Sequence, residues 1–151
     1  MKKGILIGLS IILASCANYY KEAPRSAPHA TIIFERQSGV GGAFGGMEVT
    51  PLEINGKAPN EWNKWDFHSF RVAPGRLVVF VQAEAPGRVV GLGFLKFVAV
   101  DGETYTISRS LLETTIRIVA RASDGSTVAD ITVKKAIAQP GMVVPVMIPT
   151  S

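Results

Sequence analysis

Apolar and polar residues alternate with a period of two over much of the chain beyond residue 30. Tyr105 and Ile107 alternate with Thr104, Thr106 and Ser108, and Ile116, Ile118, Ala120 and Ala122 alternate with Arg117, Val119 and Arg121. Ala129, Ile131 and Val133 repeat the pattern against Asp130, Thr132 and Lys134. Successive side chains of a strand point to opposite faces, so these runs predict half-buried β-strands. Ser123-Asp124-Gly125-Ser126 between two of them predicts a hairpin turn. Earlier, Leu77, Val79, Val81 and Ala83 form an inward row beside Val78, Phe80, Gln82 and Glu84. Further strands are expected at Thr31–Gln37, Glu48–Ile54, Phe67–Val72, Gly93–Val100 and Val143–Ile148.

Turn chemistry fits the same picture. Pro74-Gly75, Pro86-Gly87 and Pro140-Gly141 each pair a fixed φ with a residue that tolerates positive φ, as a type II turn requires. Pro145 and Pro149 cannot donate ladder hydrogen bonds, so the last run is expected to be an edge strand or an extended tail. Only Pro59–Trp65 and Ser110–Glu113 are expected to form a helical turn. Short apolar runs rich in Val, Ile, Thr and Gly, with a turn signal every ten residues or so, predict one all-β sandwich or barrel over residues 30–151. At that length it can bury about two-thirds of its surface without disulfides or metal.

The first sixteen residues follow a different logic. Lys2 and Lys3 precede an apolar run from Gly4 to Ala14, the basic and hydrophobic regions of a targeting segment. The run is too short to span a bilayer, which needs about 20 apolar residues as helix. Leu13-Ala14-Ser15-Cys16 closes it and resembles the lipobox of bacterial lipoproteins at all four positions. That resemblance implies cleavage between Ser15 and Cys16, a diacylglyceryl thioether on the Cys16 thiol and an acyl group on the new amino terminus. The resulting parts are a signal peptide at 1–15, a lipidated tether at 16–29 and the β domain beyond. One acyl chain binds a membrane marginally, whereas two or more anchor stably.

This reading changes what composition means. Cys16 is the only cysteine in the 151 residues, so no disulfide can form within the chain. Loss of Lys2 and Lys3 leaves 14 basic residues against 12 acidic ones, and the net charge falls from +4 to +2. A nucleic-acid partner, which calls for a concentrated basic patch, is not expected. Residues 17–29 have no apolar period and contain two prolines, which predicts a tether of at most about 45 Å when fully extended. Tyr19 and Tyr20 are near enough to the anchor to sit at the membrane interface. In the lipoprotein family an Asp directly after the cysteine commonly retains the protein in the inner membrane. Ala17 stands there instead, implying the inner leaflet of the outer membrane, facing the periplasm.

Ile54-Asn55-Gly56-Lys57, Pro74-Gly75-Arg76 and Gly102-Glu103-Thr104-Tyr105 carry a second resemblance. Their order is similar to PEGA-like domains of envelope lipoproteins, in which a strand closes on "NGK", a "PG" turn introduces a long strand and "aGxxY" follows. The resemblance covers most of residues 30–122. It implies a small transthyretin-like or carboxypeptidase-regulatory-like β-sandwich of about seven to nine strands, usually without catalytic residues. This sequence departs from the pattern in a glycine-heavy loop, a Trp-rich insert and the residues after Ala136.

Those departures hold the remaining chemistry. Gly39-Val40-Gly41-Gly42-Ala43-Phe44-Gly45-Gly46 fails as a phosphate cradle, because it fits neither the dinucleotide spacing nor a P-loop and no helix pattern follows. It reads as a loop in which Phe44 is either a partner contact or part of the core. Asn60–His68 gathers Trp62, Trp65, His68, Glu61 and Asp66. Such rings beside amides and carboxylates suit stacking on a sugar or gripping a peptide, but tryptophan equally serves to close the end of a sandwich. With only His29 and His68, a His-based metal site would have to combine distant groups, so no metal or other cofactor is expected beyond the lipid on Cys16. Without a free cysteine or a G-x-S-x-G motif, a catalytic triad would have to rely on His68. The expected function is therefore a non-catalytic, membrane-anchored binding or structural module. Its expected partner is an envelope protein complex or peptidoglycan; the oligomeric state stays open. The alternative is an enzyme or enzyme inhibitor acting on envelope polymers through the Trp62–His68 region.

Overall fold

The computed structural model describes residues 19–36, 48–59, 68–86 and 89–137. Nine strands form two sheets, with no helix among the described residues. They are β1 (Ala30–Phe34), β2 (Val49–Ile54), β3 (Ser69–Val72), β4 (Gly75–Ala85), β5 (Val89–Ala99), β6 (Thr104–Leu111), β7 (Thr115–Arg121), β8 (Thr127–Lys134) and β9 (Ala136–Ile137). The first sheet runs β3-β1-β6-β7-β8 and the second β2-β4-β5-β9. All described pairings are antiparallel except β1 with β6, which lies parallel with Thr31 opposite Thr104 and Phe34 opposite Ile107. The fold is a small all-β sandwich.

The expected inward rows meet between the sheets. Ile32, Phe34, Val72, Tyr105, Ile107, Ile116, Ile118 and Ala120 of the first sheet face Val49, Ile54, Leu77, Val79, Val81, Ala83, Leu95 and Ala99 of the second, all buried. Val119 departs from its assigned polar row. It is buried, but outside that cluster, opposite Ser108 and Asp130 in the ladder. Arg117 is bidentate to Asp130 there, and Arg121 donates to Ser108 Oγ.

Several turns take the conformations their residues favour. Asn55 and Gly56 adopt φ of 51° and 73°, and Ile54 and Lys57 exchange both backbone hydrogen bonds across them, as in a type I′ hairpin turn. Asn55 also fastens the turn to β4: its N–H donates to Val78 O, and its Oδ1 accepts from Val78 N. The Asp124 Oδ1 accepts from Ser126 N in the β7–β8 turn, and Gly125 has φ of 84°. Gly75 has the expected positive φ but is already the first residue of β4, paired with Ala99.

Three expectations need correction. Ser110–Glu113 is no helical turn: Ser110 and Leu111 finish β6, and Leu112 N–H donates to Thr115 O to close a hairpin. Strand pairing with β7 continues through Leu111, which holds Ser110 and Leu111 in extended rather than helical backbone. The strand expected at Gly93–Val100 starts at Val89 and ends at Ala99, and β9 was not anticipated. Two glycines hid the first half of β5. Gly91 and Gly93 occupy its inward row, where added Cβ atoms would lie 2.5 Å from Val133 Cγ2 and 2.4 Å from Ile131 Cδ1. The missing side chains let β8 close on β5. The expected Val143–Ile148 strand, the Pro140-Gly141 turn, Gly87 and most of the Pro59–Trp65 helical turn lie outside the described residues.

Candidate functional site

The segment after Cys16 is built into the sandwich from Tyr20 onward. Tyr20 N–H donates to Ala58 O at 2.8 Å, just after the β2 turn, while the Tyr20 hydroxyl donates to Arg71 O at 3.1 Å on β3. Its ring meets Phe70 edge-on, with centroids 6.4 Å apart. Ala23 N–H donates to Arg71 O, and Arg71 Nε returns a bond to Ala23 O at 2.9 Å. Glu22 completes the clasp through a 2.8 Å ion pair with Arg71. β2 and β3 are the edge strands of different sheets, so this strap crosses the side of the sandwich and caps the exposed β3 edge.

Electrostatics follow from that packing. Partial burial, and secondarily the Glu22 charge, push the Tyr20 hydroxyl up to about 12; both oppose a phenolate. The chain then turns at Pro24–Ala27 and enters β1 past His29, whose N–H donates to Asp101 Oδ1 at 2.8 Å. Across the same end, Glu103 accepts from Ser123 and Thr104 N–H groups. The Ser123 bonds, chiefly, hold its carboxyl below the usual range.

The residues of the Gly102–Tyr105 motif have structural positions. Gly102 takes φ of 75° and donates to His29 O. The buried Tyr105 hydroxyl accepts from Val100 N at 3.0 Å and donates to Val98 O at 3.3 Å, tying β6 to the end of β5. Its ring packs on Phe97.

Of the site residues anticipated from sequence, only His68 falls among the described residues. It is half-buried at the entrance to β3, and its carbonyl accepts from Phe34 N at 2.7 Å. Ser15, Cys16, Phe44, Trp62 and Trp65, together with Glu61 and Asp66, lie outside them. Among the described residues no three His, Cys, Asp or Glu side chains are grouped to hold a metal, and no helix is long and apolar enough to cross a membrane.

Two features escaped sequence reading. Arg109 continues the inward row of Tyr105 and Ile107, and its nearly buried guanidinium lies 3.7 Å from Glu48 at the opposite end of the sandwich. An arginine in phase with an apolar row was its available signal. The second feature is the outer face of the second sheet, where Phe80 and Phe94 stack with centroids 4.5 Å apart. Val78 and Leu92 beside them are half-buried, and Val98 is 61% exposed. Its signal was the nearly unbroken apolar run in β4 and β5, which exceeds what one covered face needs.

No protein family, curated protein or solved structure matches this chain.

Proposed function

We propose that this chain is a bacterial envelope lipoprotein, anchored through acylated Cys16, whose β-sandwich acts as a non-catalytic binding or structural module. The observation that carries the reading is the complete Leu13-Ala14-Ser15-Cys16 motif behind a basic and apolar leader. The mature chain begins at Cys16 and resides in the inner leaflet of the outer membrane, facing the periplasm. Anchoring concentrates the domain near envelope partners, a protein complex or peptidoglycan, and rigid sheets present its contact surface.

Two aspects of the fold support this assignment. An interlocked two-sheet sandwich is a stable platform, and its apolar outer face around Phe80 and Phe94 is the kind of surface an interaction module uses. The PEGA-like affiliation belongs to the same proposal, supported by Asn55-Gly56, Gly102 and Tyr105 serving as turns and ties within the sandwich.

Metabolic labelling with a fatty-acid analogue tests the anchor. Wild type is expected to incorporate label and Cys16→Ala to lose it; equal labelling overturns the assignment. Crosslinking in intact cells tests the module, with a reproducible envelope partner expected and none counting against it.

A further inference from the structure

We propose that the sandwich is held on a short leash, with its β2–β3 side seated against the lipid headgroups. This inference rests on the anchor at Cys16. A free tether of residues 17–29 would let the domain range about 45 Å from the bilayer. Tyr20, however, is already fixed to Ala58 and Arg71, and Glu22 and Ala23 are fixed to Arg71. Four residue steps separate Cys16 from Tyr20. Whatever path they follow, they span at most about 14 Å.

That limit selects one side of the molecule. The strap crosses the β2–β3 side, so the acylated cysteine must lie near it, while β8 is the opposite edge of the first sheet. Four strand spacings put β3 and β8 about 19 Å apart.

The chemistry of the selected side suits phospholipid. Tyr19 is 38% exposed and, one residue before the clasp, can place an amphipathic ring at headgroup level. Lys21, Arg25 and Lys57 are exposed on the strap and the adjacent turn. The strap's carboxylate, Glu22, is engaged by Arg71. Cations near an anionic surface each add modest attraction. The lipid and its short leash select the side and hold it there, and these side chains make that side compatible with the headgroups.

The test uses the full lipidated chain reconstituted in vesicles of phosphatidylethanolamine and phosphatidylglycerol containing a nitroxide-headgroup lipid. Acylation consumes the native thiol, so Lys57→Cys or Lys134→Cys introduces a single site for a fluorophore. Both positions are exposed and both changes remove one positive charge. Quenching at position 57 is expected to exceed that at 134 by at least about threefold. Inserting fifteen Gly/Ser residues after Ala17, with a root-mean-square span of roughly 20 Å, is expected to bring the ratio towards one. A ratio near one in the uninserted chain, with Cys16 shown by mass spectrometry to be acylated, overturns the seating and leaves the anchor standing. A ratio that survives the insertion overturns the leash. A chain whose Cys16 carries no lipid overturns the anchor and this inference together.

Discussion

The two sides of the sandwich are closed by different physics. On one side, a segment without apolar periodicity bridges the β2 and β3 edges through backbone hydrogen bonds, the Arg71 clasp and a single ring, Tyr20. On the other, β8 and β5 come together directly because Gly91 and Gly93 leave room for Val133 and Ile131. The first closure is polar, partly solvated and continuous with the proposed anchor. The second is apolar and fixed by shape. A domain can therefore be rigid where it carries its core and separable where it meets its proposed leash.

Overpacking the glycine side should have the largest effect. Gly93→Val is expected to destabilise the domain by about 2–3 kcal/mol, because side chains forced into a packed core displace their neighbours. Urea melts measure this, and Ile131→Ala in the same chain should recover part of the loss through coupling between touching residues. Additive losses would mean that β8 does not rest on Gly93.

The strapped side should yield less. Tyr20→Ala removes the Phe70 contact and the bond to Arg71 O, a loss of about 1–2 kcal/mol for a partly buried side chain. Hydrogen exchange should quicken at Tyr20 and Ala23 N–H while β5 and β8 stay protected. Uniform loss of protection would merge the two sides into one cooperative unit.

High pH offers a milder version of the same separation. The folded Tyr20 hydroxyl titrates near 12, above its ordinary 10.0, so folding favours its protonated form. Its contribution is complete below about pH 10 and is lost as pH rises through about 12. NMR with ring-labelled tyrosine should show the Tyr20 shift moving with strap release, before the β5 and β8 signals change.

How legible each side was in the sequence follows from these differences. Alternation exposed β4, β6, β7 and β8, because one buried face imposes a period of two. It missed the start of β5, where glycine replaces the apolar signal at the two positions of closest approach. It also missed the strap, held mainly by backbone groups that any sequence possesses and by an arginine 48 residues away from its Ala23 acceptor. The parallel β1–β6 pairing likewise left no local trace. At the candidate site, the proposed lipobox could be suggested from sequence alone because its chemistry would depend on four adjacent residues. Arg109 was harder to find, since its partner Glu48 comes from another strand's entrance.

Two smaller changes calibrate the scale. Tyr105→Phe keeps the buried ring but deletes the hydroxyl ties to Val98 and Val100, and is expected to cost about 1 kcal/mol in thermal or urea unfolding. Arg117→Lys, at an exposed ion pair with Asp130 on the solvent-facing side of the ladder, is expected to leave the melting midpoint nearly unchanged, since exposed ion pairs contribute little. A large shift there would show that the pair, with Val119 behind it, carries more of β8 than the core does.

The most direct measurement of the central claim is mass spectrometry of the amino-terminal peptide from protein purified from bacterial membranes. The expected species begins at Cys16 and carries a diacylglyceryl thioether with an acylated amino group. A chain retaining Leu13-Ala14-Ser15, or one whose Cys16 thiol is free, contradicts it.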